Sequence, residues 1–172
     1  YRSKLELRQI MKYFIGNWKM FGVPKSISIL KKINSFTTKD KNRKKYGIIA
    51  TPPYTLIESF SKFFKNKKLK IGSQNCYQKE PYSSDTAAIS PYMLKKVGAD
   101  YTIIGHSDNR AEGDTNEILK QKVRSALKHN LKIVFCIGEN ALQKKQKKTF
   151  KVLKKQLKDS LIKSFDSEKI MV

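Results

Sequence analysis

The chain has 172 residues and is 39% hydrophobic, enough for one ordinary domain with a real core. It has no apolar run near the roughly 20 residues that cross a membrane, so no membrane partner is expected. Its formal net charge of +23 raises a nucleic-acid reading. The cations are nearly all lysines spread along the chain, with arginine only at Arg2, Arg8, Arg43, Arg110 and Arg124, so weak, salt-sensitive binding is expected and no specific nucleic acid.

Tyr1 to Ile10 is polar and charged, unlike a signal peptide. Tyr13 to Asn17 reads as a strand. Pro24 then opens a helical pattern carrying Ile27, Leu30, Ile33 and Phe36. Tyr46 to Ala50 is a second strand, and Pro53 to Phe64 a second helix presenting Leu56, Ile57, Phe60 and Phe64. Leu69 to Ser73 is a third strand, followed by a polar loop from Tyr77 to Ala88. Ser90 and Pro91 cap a short helix with Met93, Leu94 and Val97, and Tyr101 to Ile104 is a fourth strand. Thr115 to His129 is a helix with Thr115 as its cap and Ile118, Leu119, Val123, Ala126 and Leu127 on its apolar face. Leu131 to Ile137 is a fifth, apolar strand. Phe150, Leu153, Leu157, Leu161 and Phe165 stripe a last helix, and Lys169 to Val172 begins a sixth strand.

Strands alternating with helices imply βαβ units and a parallel sheet, and apolar strands imply a sheet covered on both faces. A doubly wound sheet and a (β/α)8 barrel both fit this pattern. Neither a dinucleotide-binding glycine motif nor a P-loop is present. Cys76 and Cys136 form neither a disulfide framework nor a zinc spacing and suit a reducing, cytoplasmic setting.

Polar residues follow the strands: Asn17 and Lys19 after the first, Gln74 and Asn75 after the third, His106, Ser107 and Asp108 after the fourth, and Glu139 after the fifth. In a parallel barrel these ends converge on one face, where a Lys, an Asn and a neutral His can stabilise an oxyanion. Taken singly, Lys19 is an ordinary solvated lysine, Asn17 and Asn75 are turn residues, Asp108 is a local cap and Glu139 an ion-pair partner. Their joint placement carries the functional reading.

Several segments in order resemble triosephosphate isomerase. They are Ile15-Gly16-Asn17-Trp18-Lys19-Met20, Ala50-Thr51-Pro52-Pro53-Tyr54, Gly72-Ser73-Gln74-Asn75-Cys76, Ile89-Ser90-Pro91-Tyr92-Met93-Leu94, Gly105-His106-Ser107 and Cys136-Ile137-Gly138-Glu139. The resemblance implies an α/β fold, a (β/α)8 TIM barrel of which about five and a half βα units are present. It implies a cofactor-free, metal-free isomerase of glycolysis and gluconeogenesis, interconverting dihydroxyacetone phosphate and D-glyceraldehyde 3-phosphate through an enediolate. Asn17 and Lys19 would bind the phosphorylated triose, Lys19 offsetting its charge, and His106 would polarise the carbonyl and move protons between oxygens. Ser107, Asp108 and Glu139 would support them. The family is normally a homodimer whose third loop, around Thr86, enters the neighbouring subunit.

The chain departs from the pattern in several places. The family's Gly-His-Ser-Glu-Arg-Arg reads Gly105-His106-Ser107-Asp108-Asn109-Arg110, its third-loop Gly-Glu reads Ala87-Ala88, and a loop Glu appears as Asp114. Met11-Lys12-Tyr13 resembles a natural start, so residues 1–10 are expected to be an upstream extension and residues 11–172 a partial barrel domain. The family's catalytic Glu would follow the sixth strand, beyond Val172, so this chain alone is expected to be inactive and poorly stable. The alternative is a degenerate, non-catalytic relative.

Overall fold

A computed structural model describes residues 11–162 and 168–172. The expected extension over residues 1–10 and Phe165 of the last stripe lie outside the described residues. The strands are β1 (Lys12–Asn17), β2 (Tyr46–Thr51), β3 (Leu69–Ser73), β4 (Tyr101–Ile104), β5 (Lys132–Phe135) and β6 (Ile170–Met171). The helices are α1 (Ile27–Lys39), α2 (Tyr54–Phe64), α3 (Pro91–Lys96), α4 (Ser107–Ala111), α5 (Asn116–Lys128), α6 (Ala141–Lys145) and α7 (Thr149–Ser160).

The strands form one sheet in the order β1-β2-β3-β4-β5-β6, each parallel to the next. A doubly wound sheet reverses its strand order at a switch point; this one never does. The order is that of a (β/α)8 barrel, and the chain forms six successive strands of one. All strand C-termini therefore point to one face.

Local chemistry explains the elements. In α2 the side chains of Leu56, Ile57, Phe60 and Phe64 are all buried, one helical stripe against β3. Ser90 Oγ accepts the Met93 N–H at 3.3 Å, and Pro91 occupies the first turn of α3, where a missing N–H costs nothing. Thr115 Oγ1 caps α5 by accepting the Ile118 N–H at 3.3 Å. The core joins Leu30, Ile57, Leu69, Ile104, Leu119, Leu131, Ile133 and Phe135. Each such side chain contributes about 1.5–3 kcal/mol when fully buried.

Four expectations change. Pro24 opens a 3-10 turn, Pro24–Ser26, and α1 starts only at Ile27. The fifth strand is shorter than Leu131 to Ile137, because after Cys136 donates its N–H to Ile104 O at 2.8 Å the chain turns away. Phe150 is not part of a buried stripe: it sits in the first turn of α7 at 90% exposure, while Leu157 and Leu161 pack on the core. The sheet is not covered everywhere. No described strand pairs with the outer edge of β1, and Phe14 (62%) and Phe36 (74%) are exposed beside an apolar cleft of about 580 Å³. Two short helices, α4 and α6, stand where the sequence shows no periodicity; five residues are too few to display one.

Candidate active site

The C-terminal ends of β1, β3 and β4 enclose a cavity of about 530 Å³, lined by Asn17, Lys19, Tyr54, Gln74, His106 and Asp108 among others. Three of the strand-end groups read from the sequence thus meet in one space. The strand directions bring them together: residues 17, 74 and 106 are far apart in the chain but all follow strand ends.

Lys19 takes a left-handed backbone, φ +51. A residue with a Cβ holds that conformation only when its surroundings over-determine it. Its N–H donates to Asn17 Oδ1 at 2.9 Å, and its carbonyl accepts from Gln74 Nε2 at 2.7 Å. Because Asn17 Oδ1 is engaged, the NH2 of that carboxamide is the end able to donate elsewhere. The Lys19 ammonium lies 3.4 Å from Asp108 Oδ2, with both side chains more than half exposed, so the pair itself is weak.

Gly105 turns the chain out of β4 with φ +81. A Cβ there would come 2.9 Å from Cys136 O and 3.0 Å from the Arg110 guanidinium, so glycine is required on both counts. The turn places His106 at the head of α4. The Asp108 N–H donates to His106 Nδ1 at 3.2 Å, while Asp108 Oδ2 lies 3.5 Å from the same nitrogen. The amide needs the Nδ1 lone pair and the carboxylate would need a proton there. The shorter contact is the amide's, and an Nδ1 that accepts it leaves Nε2 as the ring's donor towards the cavity.

The other expected site residues lie apart. Ser107 Oγ is 3.5 Å from Asp108 Oδ1 and exposed. Glu139 accepts from Thr149 Oγ1 at 3.1 Å and so is tied to the start of α7. Thr86 is exposed in the loop between β3 and α3, and Ala87 beside it has φ +63. That loop is clasped by Asp85, which accepts from Lys79 at 2.8 and 2.9 Å and from Tyr77 at 3.0 Å. These hydrogen bonds, that of Lys79 first, hold the Asp85 carboxyl down at about 2. Among the described residues no three His, Cys, Asp or Glu side chains are grouped to hold a metal ion.

Two features escaped the sequence reading. Arg110 spans the ends of β4 and β5, donating to Gly105 O at 2.8 Å, Cys136 O at 3.1 Å and Asn116 Oδ1 at 3.1 Å. Lys122 is buried on α5, its ammonium donating to both Asp114 oxygens at 2.8 and 2.7 Å and to Asn75 Oδ1 at 3.0 Å. The available signal was its spacing: Lys122 stands three residues after Leu119 and four before Ala126, on the buried face. Beside it, burial pushes the Cys76 thiol up to about 12.

Residues 12–172 match the family model described as triosephosphate isomerase. The chain belongs to the triosephosphate isomerase family. It is 34% identical over 147 residues to the triosephosphate isomerase of Thermoanaerobacter sp. (strain X514), covering 85% of this chain and 58% of that protein. To that of Dictyoglomus thermophilum it is 33% identical over 164 residues, 94% of this chain and 65% of the other. The crystal structure of triosephosphate isomerase from Bartonella henselae superposes with a TM-score of 0.87 at 31% identity, covering 94% of this chain and 66% of that one. The chain thus spans about three fifths of the length of the curated relatives it matches. No described helix is long and apolar enough to cross a membrane.

Proposed function

We propose that this chain is the N-terminal part, residues 11–172, of a triosephosphate isomerase barrel, preceded by an extension over residues 1–10. The intact protein interconverts dihydroxyacetone phosphate and D-glyceraldehyde 3-phosphate, with no cofactor, as a cytoplasmic homodimer. The observation that carries the reading is the meeting of Lys19, Asn17 and His106 at one cavity, with the Asp108 N–H aimed at His106 Nδ1.

The chemistry follows from charge. Moving a proton between adjacent carbons of the triose leaves negative charge on the former carbonyl oxygen. The Lys19 ammonium supplies a fixed positive charge beside it, and the Asn17 NH2 and His106 Nε2–H supply directed donors. A neutral imidazole can give and regain its proton as the charge moves between the two oxygens. This family is itself a standard illustration of a neutral His working beside a Glu base. In this reading that Glu follows the sixth strand, so the 172 residues alone lack their general base.

Two of the departures, Asp108 and Asp114, keep a charged contact at the site and fit this reading. Asp108, although a methylene shorter than Glu, lies 3.4 Å from the Lys19 ammonium. Asp114 pairs with the buried Lys122 at 2.7 Å. The dimer role of Thr86 rests on its place in the exposed third loop. An isomerase assay tests the reading in two steps. The 172-residue chain shows no turnover above its His106→Ala variant. The in-frame continuation past Val172, if expressed with it, restores turnover that His106→Ala abolishes. Turnover by the chain alone would overturn the assignment of the base, and an inactive continued chain would favour the degenerate relative.

A further inference from the structure

We propose that the face where the strands begin, opposite the candidate active site, binds single-stranded nucleic acid through its phosphate backbone and without sequence preference. This face takes no part in the chemistry proposed above.

The lysines are spread along the chain, but the fold gathers many of them. In a parallel sheet every loop that leads into a strand lies at the same end. Here those loops are cationic. Arg43, Lys44 and Lys45 precede β2, and Lys65, Lys67 and Lys68 precede β3. Lys95 and Lys96 end α3 ahead of β4, and Lys132 opens β5. Asp108, Asp114 and Glu139 instead follow strands, at the other end.

Three hollows open where the strands begin, of about 330, 160 and 410 Å³, and Lys70 borders all three. Arg43, Lys44 and Lys68 line the first, Lys132 the second, and Lys65 and Lys96 the third. The hollows thus adjoin as one trough. Lys68 ties the loop before β3 to the loop before β2 by donating to Arg43 O and Tyr46 O. The carboxylates on the trough already have partners: Glu58 lies 2.7 Å from Lys62, and Asp100 lies 3.6 Å from Lys95. Lys70 has no ion pair among the described residues, which leaves its charge for a ligand.

Shape and aromatic content select the partner. The cations stand on the walls of hollows, out of reach of a flat layer of lipid headgroups. A duplex is stiff over about 150 base pairs and meets only what protrudes, whereas a single strand can follow the hollows and stack a base on a ring. Tyr13 supplies such a ring. It borders the first hollow at 38% exposure and rests on Gly47, where a Cβ would come 2.5 Å from it. Lys68 and Lys132 stand 4.3 and 5.9 Å from the ring centres of Tyr46 and Tyr101, so cations and aromatic rings alternate along the trough.

The test is fluorescence anisotropy of labelled oligo(dT) with the full 172-residue chain, from about 50 to 200 mM salt. Each phosphate contact contributes about 0.7 to the slope of log affinity against log salt for a single strand. Lys44→Gln, Lys70→Gln and Lys96→Gln together should flatten that slope by about 2. The same change at Lys144, Lys148 and Lys151, exposed in and beside α6 and α7 at the other end, should leave it unchanged. Tyr13→Ala should weaken binding about fivefold or more with the slope kept. A duplex of equal length and phosphatidylserine vesicles should both bind more weakly than oligo(dT). Equal flattening by the two triple variants would overturn the proposal, because binding would then follow total charge and not this face. Tighter binding to duplex or vesicles, or no loss in Tyr13→Ala, would overturn the choice of partner. No binding to oligo(dT) at about 50 mM salt would overturn the whole. If the first triple variant does not fold, NMR of the unaltered chain decides. Oligo(dT) should move the amide signals of the loops before β2, β3 and β4, and movement centred on Lys19 and His106 would overturn the proposal.

Discussion

Replacing Lys122 by Met should be the most damaging single change near the site. The Lys122 and Asp114 side chains are only 5% and 13% exposed, and the ammonium donates to both carboxylate oxygens and to Asn75 Oδ1. Lys122→Met fills the space of the stem but leaves a buried carboxylate with no cation. Breaking a buried pair from one side costs about 3–5 kcal/mol. With a urea m-value of roughly 2 kcal/mol/M for a chain of this size, the unfolding midpoint should fall by about 1.5–2.5 M. If the parent chain is less stable than that, Lys122→Met is unfolded in buffer, which far-UV circular dichroism reads directly. The double change Lys122→Met with Asp114→Leu removes both charges. It should recover most of the loss, because a buried pair adds little over apolar side chains of similar volume. A midpoint shift of less than about 0.5 M for Lys122→Met alone would refute the reasoning, since it would mean that water reaches the Asp114 carboxylate.

Ala87 holds φ +63, which a methyl disfavours and glycine does not. Ala87→Gly should therefore raise stability by about 0.5–1 kcal/mol in urea unfolding, and a loss would show that the loop relaxes from this conformation. The Asp85 carboxyl should titrate near 2 by NMR. Because its folded-state pKa lies below the unfolded value of about 3.9, the clasp with Lys79 contributes fully above about pH 4 and is lost as pH falls through about 2. Lys79→Met should move the midpoint upwards, and an unmoved midpoint would exclude Lys79 as the main cause. Burial raises both thiols, Cys76 being buried and Cys136 only partly so. A thiol reagent at pH 8 should modify Cys136 well before Cys76, and the reverse order would contradict the packing.

Much of the fold could be read along the chain. The helical spacing of Leu56, Ile57, Phe60 and Phe64, the caps Ser90 and Thr115, and the apolar runs of β3 and β4 are local features, and each element formed where local chemistry placed it. Asn17, Lys19 and His106 were legible as groups at strand ends, and their convergence followed once the sheet was parallel. Periodicity was blind to α4 and α6, which are shorter than two turns. It overstated the burial of Phe36 and Phe150, because a stripe tells which residues share a face and not what covers that face. Asn140 followed by Gln143 was a readable capping box for α6, and the two side chains do exchange hydrogen bonds with the backbone at 2.8 and 3.0 Å.

The sequence by itself determined the alternation of strands and helices, the family motifs and the residue types at the strand ends, because these depend on neighbours within a turn or a strand. Periodicity left a doubly wound sheet and a barrel open; the family motifs implied the barrel, and the tertiary structure shows it through a strand order that never reverses. It alone showed that Gln74 grips Lys19 across 55 residues, that Lys122 reaches Asn75 across 47, and that Glu139 bonds Thr149. Those hydrogen bonds join groups distant in the chain, and a one-dimensional pattern carries no information on which polar atoms will face each other once the strands are paired.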